Sequence, residues 1–376
     1  METHYLGSGV VLDKFTSKHL AIIILGVSVV ALKTYPRIYL EDGGRESWVG
    51  MIVASIIMTI FYMYIFNISE NNDRPKINEV YQTVLGKNWG TFFLLLFIGT
   101  LFLTLVECAS VEAASMHENM LLETPKWFFL VFFIIPLIYV LLKDIVAIIS
   151  VSKVIIILII LLGINLAILT AKYKNYDYLF PIFPEGIHFG FILSIIKMVA
   201  FYGSISIVLP FQYKFGVTKK KMMIWSFIVL LFLAQMQIVN VTGMIATFEI
   251  DRLIAQTFPK LIQTQLITYY EFIEFGELYV MIQVLGGWTI KYLVTFYGIL
   301  LILRGLEVRV KYLKSIVFLI SALVYAASYY ASKTILDLFF LLNIYTYICL
   351  VNFIILPLII YTIYNIKQKT LTKRNA

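Results

Sequence analysis

A series of uninterrupted apolar runs, each close to the length that crosses a bilayer, constrains this chain most tightly. A helix rises about 1.5 Å per residue, so a hydrocarbon layer roughly 30 Å thick takes about 20 residues. Ten runs fit: Leu20 to Tyr39, Val49 to Ile68, Thr91 to Ser115, Trp127 to Leu142, Ile145 to Leu169, Phe189 to Phe211, Met222 to Ala246, Leu278 to Leu303, Ile316 to Ala331 and Ile335 to Ile366. They are numbered spans 1 to 10 below. The last is long enough to tilt or to break near Pro357. Composition closes the alternatives. The chain is 61% hydrophobic and 14% charged, where soluble domains are roughly 45–50% and about 25%. That excess is more than one soluble core can hide, so the expected fold class is an all-α polytopic membrane protein with ten transmembrane helices. A soluble enzyme and a disordered chain are excluded.

Basic residues orient the spans. With both termini placed in the cytoplasm, 18 of the 30 lysines and arginines fall inside, as the positive-inside rule expects. Topology thus accounts for the net charge of +8 without a nucleic-acid partner. No basic stretch and cleavage site mark a removable leader, so span 1 is expected to stay in the mature chain. The chain reads as one membrane domain, residues 1–376, with a first five-helix repeat over residues 19–170 and a second over residues 189–366. Residues 247–277 read as an external amphipathic segment, with Leu253, Ile254, Phe258, Leu261, Ile262 and Leu266 near helical spacing. Its acidic end, Glu271, Glu274 and Glu277, reads either as a solvated face or as an outer gate. Residues 367–376 form a cytoplasmic tail.

Spans 1 and 6 break the pattern of plain anchors. Span 1 carries Gly26, Lys33, Pro36 and Arg37; span 6 carries Lys197, Gly203, Ser204, Ser206 and Pro210. They hold matching places in two five-helix halves, and such a pair points to an inverted-repeat transporter fold with both helices broken at mid-membrane. Unwound backbone there needs a polar guest or ion, because lipid cannot satisfy it. The plainer alternative is that glycine and proline serve packing and kinks. Span 3 sets Thr100, Thr104 and Glu107 on one face, and span 8 sets Gln283, Gly287, Lys291 and Thr295 on one face. A Glu107–Lys291 ion pair between them would neutralise two costly charges. The alternative is that the lysines snorkel, which is easier for Lys153 and Lys197 than for Lys291. Lys153 could also replace a bound sodium in such a fold, or titrate. No nucleophile–base set, P-loop or dinucleotide glycine pattern occurs, so neither enzymatic activity nor a cofactor is expected. The two cysteines and four histidines have no metal-ligand spacing.

Four stretches then carry a resemblance. They are Tyr35-Pro36-Arg37 with Gly43-Gly44-Arg45 and Trp48; Leu85-Gly86-Lys87 with Leu121-Leu122-Glu123-Thr124-Pro125; Phe201-Tyr202-Gly203 with Leu209-Pro210; and Glu274 to Glu277 leading to Lys291 and Tyr297. In this order they resemble the spore germination permease family, the B subunits of nutrient germinant receptors, within the amino acid–polyamine–organocation superfamily. The resemblance implies a LeuT-like fold of two inverted five-helix repeats with helices 1 and 6 broken. It implies a small nutrient (an amino acid, sugar or nucleoside) bound between spans 1, 3, 6 and 8. The matching positions are Val29, Val30 and Ala31; Thr100 and Thr104; Phe201, Tyr202, Gly203 and Ser204; and Lys291 and Thr295. It implies a receptor A subunit and a C lipoprotein as partners, in the spore inner membrane. A proton- or sodium-coupled amino-acid permease of the same fold is the alternative. The chain departs from the family pattern at Val29-Val30-Ala31, where a Gly-x-Gly is common, at Ile205 in place of an acid, and at Phe275 in place of an arginine. Nutrient and coupling ion therefore do not transfer by analogy.

Overall fold

The computed structural model describes residues 15–143, 145–184, 186–267 and 276–375. All the elements in this set are helical, apart from an isolated bridge between Phe15 and Phe215. Eight helices are long and apolar enough to cross a membrane, and two shorter apolar ones, Ser17–Ser28 and Lys126–Leu141, complete the ten runs. Their outer faces carry large apolar side chains such as Ile60, Phe132, Ile164 and Phe340. A soluble protein rarely leaves such a surface open, and a hydrocarbon solvent covers it without cost.

Span 8, Gly276–Gly305, is the axis of the bundle and runs along spans 3 and 5. Of its apolar window 83% is buried, against 28% for span 9, Leu313–Ala331. Two close approaches bring span 1 against it. A Cβ at Gly26 would lie 2.3 Å from Ile290 Cγ2, and one at Gly287 would lie 2.9 Å from Val30 Cβ. Small residues at a helix crossing let backbones meet in this way where lipid supplies no hydrophobic drive.

Span 1 is three helices, Ser17–Ser28, Ala31–Thr34 and Arg37–Gly43, interrupted at Val29-Val30 and at Tyr35-Pro36. Span 6 is α-helical over Phe189–Tyr202 and then winds as a 3₁₀-helix from Gly203 to Lys214. The second break expected from the sequence is thus a change of winding at Gly203 rather than an open gap. Twelve residues of 3₁₀-helix is long for a geometry that usually ends after 3–4 residues and that often marks a hinge. Span 10 begins as Ile335–Cys349, passes through a π-helical stretch at Leu350–Ile355, and continues as Leu356–Asn375. Its irregularity precedes Pro357, and most of residues 367–376, expected as a tail, extends the same helix.

The polar segment between spans 2 and 3 contains a helix, Ile77–Leu85, set off by Gly86 at φ +81°, a backbone conformation that favours glycine. The amphipathic segment expected as one helix is two, Ile250–Ala255 and Pro259–Gln265. Pro259 starts the second because its fixed φ suits a first turn. Leu253, Phe258 and Leu261 are buried beneath them. Glu271 and Glu274 lie outside the described residues, as does the side chain of Glu277.

Candidate functional site

The breaks in spans 1 and 6 pack together in the middle of the bundle. Lys291 Nζ lies 2.7 Å from Glu107 Oε2 and 2.8 Å from Oε1, with the two side chains 1% and 0% exposed. The hydroxyl of Tyr35, at the second interruption of span 1, donates to Glu107 Oε1. The Tyr35 ring stacks on Trp288 at 6.2 Å and meets Phe201 edge-on at 5.3 Å. The Lys291 ammonium sits 5.2 Å from the centre of the Trp288 ring. Spans 1, 3, 6 and 8 therefore converge on one buried carboxylate shared by a cation and a phenol. Charge-assisted contacts of this kind are short and strong in a low-dielectric interior.

The other expected site residues divide into two groups. Phe201 is buried against this centre through the Tyr35 ring, Val29 and Val30 are buried beside Lys33, Ile159 and Val284, and Thr295 is buried with its hydroxyl unpartnered among the described residues. Of Ala31 only the backbone, the first residue of the short helix Ala31–Thr34, is described. The remaining residues are turned toward neighbouring spans. Thr104 Oγ1 lies 2.8 Å from the Tyr345 hydroxyl, and Thr100 Oγ1 accepts from Asn352 Nδ2 at 2.7 Å, both across to span 10. The Tyr202 hydroxyl pairs with Ser55 of span 2 at 2.7 Å. Ser204 Oγ donates within its own turn, to Phe201 O at 2.9 Å.

Side chains partner the loosened backbone. Gln237 Nε2, from span 7, donates to Ser28 O at 3.2 Å and Val29 O at 3.4 Å. The Tyr62 hydroxyl, from span 2, lies 3.1 Å from Tyr202 O and 3.0 Å from Gly203 O. Ser206 Oγ donates to Phe353 O in the π-helical stretch. Neither Gln237 nor Tyr62 was singled out from the sequence. The available signal was an amide in an apolar run, which membrane interiors admit only with a partner.

Two lysines differ from their expected roles. Lys197 does not snorkel: its Nζ is ion-paired with Asp42 Oδ2 and donates to Ile38 O at 3.1 Å, and the residue is buried. Together with Ser194 Oγ, which donates to Tyr39 O at 2.8 Å, it fastens the outer half of span 1 to span 6. Asp42 lies beyond Tyr39, the end of span 1 expected from the sequence, yet the helix Arg37–Gly43 carries it to Lys197. Lys153 is exposed on the bundle surface rather than turned to the breaks. At the opposite end, Phe15 N donates to Lys214 O at 2.8 Å and Gly216 N to Phe15 O at 2.9 Å. Arg74 donates to the carbonyls of Phe215 and Val217 while paired with Glu70. Spans 1 and 6 are thus held together at both ends.

Ten apolar spans with interrupted first and sixth members define an integral membrane protein of the LeuT fold. The crystal structure of MhsT in complex with L-phenylalanine is similar over 91% of this chain and 87% of that one, with a TM-score of 0.64 at 15% identity. The substrate-bound, outward-open structure of a Na⁺-coupled sialic acid symporter matches 86% of this chain and 75% of that one, with a TM-score of 0.61 at 6% identity. At these identities the likeness shows the fold alone. The chain belongs to the Spore_permease family, spore germination proteins, whose sequence profile matches residues 14–335. No curated protein matches it. Family and fold together make it a nutrient-related permease or receptor of the membrane.

Proposed function

We propose that this chain is the membrane B subunit of a nutrient germinant receptor. It binds a small nutrient (an amino acid, sugar or nucleoside) between spans 1, 3, 6 and 8 and passes the signal to an A subunit and a C lipoprotein in the spore inner membrane, with both its termini cytoplasmic. The observation that carries this reading is the buried Tyr35–Glu107–Lys291 cluster where the interruptions of spans 1 and 6 meet. It provides a cation, a carboxylate and aromatic faces to a polar guest of modest size. A guest that displaces the Tyr35 ring takes the place of its hydroxyl on Glu107 and leaves Lys291 as the remaining partner of the carboxylate. Such a differential contact is what lets a ligand shift a conformational equilibrium.

A proton- or sodium-coupled permease of the same fold is the second reading, because helices interrupted at mid-membrane offer the same main-chain groups to a transported solute. The deciding experiment swaps this subunit alone between spores of different nutrient preference. Preference that follows the subunit supports the receptor. Preference that ignores it, together with concentrative amino-acid uptake by the purified chain in vesicles, supports the permease.

A further inference from the structure

A polar feature that the central site does not use lies between spans 5 and 7, beneath the short helix Pro259–Gln265. A cavity of about 160 Å³ there is lined by Lys33 of span 1, Lys174 beyond span 5 and Lys260 of the helix Pro259–Gln265. Among the described residues its lining contains no carboxylate. Three cations facing one space repel one another, and a protein sustains that arrangement when an anion occupies it.

The polar groups around them are set in place. Gln263, 1% exposed, accepts from Lys260 Nζ at 2.7 Å and donates through Nε2 to Thr247 Oγ1 at 2.7 Å and Gly243 O at 3.1 Å. Lys174 Nζ lies 3.7 Å from where a Cβ of Gly243 would stand, so the missing side chain makes its room. Asn240 lines the same cavity at 7% exposure, and neither its Nδ2 nor its Oδ1 has a partner among the described residues. A buried amide left unpaired costs about 1–3 kcal/mol, so its place in the wall points to a polar occupant. Burial, then the charges of Lys33 and Lys174, push Lys260 down to about 7, and burial lowers Lys174 as well.

The mouth of the cavity has the opposite character. Ile164 of span 5 and Phe232 and Val239 of span 7 line it and are 57%, 37% and 44% exposed on the surface that faces hydrocarbon. An occupant that enters there carries its charge at one end and an apolar tail at the other. We propose that Lys33, Lys174 and Lys260 form a phosphate-binding site whose occupant is the headgroup of an anionic membrane lipid, with an acyl chain lying between spans 5 and 7. The site is separate from the central cluster and does not depend on the germinant reading. It makes the stability of the 250–265 cover, through Lys260 and Gln263, depend on the charge of the surrounding leaflet.

The test measures thermal melting of the purified full chain in neutral detergent. Three additions are compared: dioctanoyl phosphatidylglycerol, dioctanoyl phosphatidylcholine and inorganic phosphate. Phosphatidylglycerol should raise the melting temperature and the other two should not. Each lysine removed should weaken the lipid about fivefold, and K33Q/K174Q/K260Q about a hundredfold. Without anionic lipid the triple variant should melt close to the parent, since relief of repulsion offsets the lost Lys260–Gln263 hydrogen bond; this separates lost binding from lost folding. Gly243→Val keeps every charge, fills the space at Lys174, and should also abolish the shift. K219Q/K220Q/K221Q, about 30 Å along span 7, should retain it. An equal response to phosphatidylcholine, or a full response to phosphatidylglycerol in the triple variant, would overturn the site. An equal response to inorganic phosphate would overturn the lipid as occupant and assign the three lysines to a soluble anion.

Discussion

Neutralising one member of the Glu107–Lys291 pair tests the central cluster most directly. At 2.7 Å and an effective dielectric near 20, two unit charges attract by about 6 kcal/mol. Removing both ions from water costs several kcal/mol each, so the intact pair gains little over two apolar side chains. Losing a single partner is different, because the remaining ion is buried with nothing to offset it, at a cost of about 3–5 kcal/mol. The surroundings do little to soften this. Glu107→Leu leaves Lys291 with only the Trp288 face, and Lys291→Met leaves Glu107 with only the Tyr35 hydroxyl. Each single variant is therefore expected to lose about 3–5 kcal/mol in equilibrium unfolding in mixed detergent micelles. The double variant Glu107→Leu with Lys291→Met leaves no buried charge and strands only the Tyr35 hydroxyl, so it should lose about 1–3 kcal/mol in all, far less than the sum of the two single losses. Germination response should be lost in all three, which separates the stability of the pair from its use. Single variants within about 0.5 kcal/mol of the parent, the range of surface substitutions, or a double variant that simply adds the two losses, would refute this account of the cluster.

Gly203→Leu should abolish nutrient response while the protein still reaches the membrane. A Cβ there already stands 3.3 Å from Phe353 Cβ, so the side chain wedges span 6 from span 10; a normal spore response would remove Gly203 from the site. Gln237→Leu should destabilise by about 1–3 kcal/mol for the buried carbonyls it strands, read by unfolding in the same micelles. Asp42→Asn should loosen the outer halves of spans 1 and 6, seen as faster labelling of a cysteine placed at Ser194. Lys260 sheds its proton near 7 in the folded chain and near 10.5 when unfolded. The lipid-free protein should therefore gain stability as pH rises from about 7, because the unfolded state holds more protons there. Affinity for phosphatidylglycerol should fall over the same rise as Lys260 loses its charge. Lys33 and Lys174 also face Lys260, with Asn240 and Gln283 uncharged beside them; Lys260→Gln should flatten both trends.

Long apolar runs made the ten spans legible, because a bilayer admits few other solutions. Gly203 and Pro36 marked the irregular regions for the same reason. The details were hidden where local sequence carries no trace of its partner. Val29-Val30 reads as helix, yet it lies at an interruption whose carbonyls are held by Gln237, more than 200 residues away. The π-helical stretch at Leu350–Ile355 contains no glycine or proline, so Pro357 drew attention a few residues too late. Lys197 could not be matched to Asp42 while span 1 was ended at Tyr39. The Glu107–Lys291 geometry was more accessible, because two helix faces each offered one costly charge and the cheapest place for either is beside the other.

The wide turn in span 10 has a mechanical consequence. A π-helical turn holds a surplus residue relative to α winding, and here it lies where Ser206, Thr100 and Phe97 all touch it. If that slack is taken up when span 6 moves, everything beyond it turns by about 100° and advances by about 1.5 Å. The far end of the same rod carries Lys367, which grips the carbonyls of Thr83 and Val84. A change at the centre would thereby become a rotation of the helix end that Lys367 fastens to the helix Ile77–Leu85.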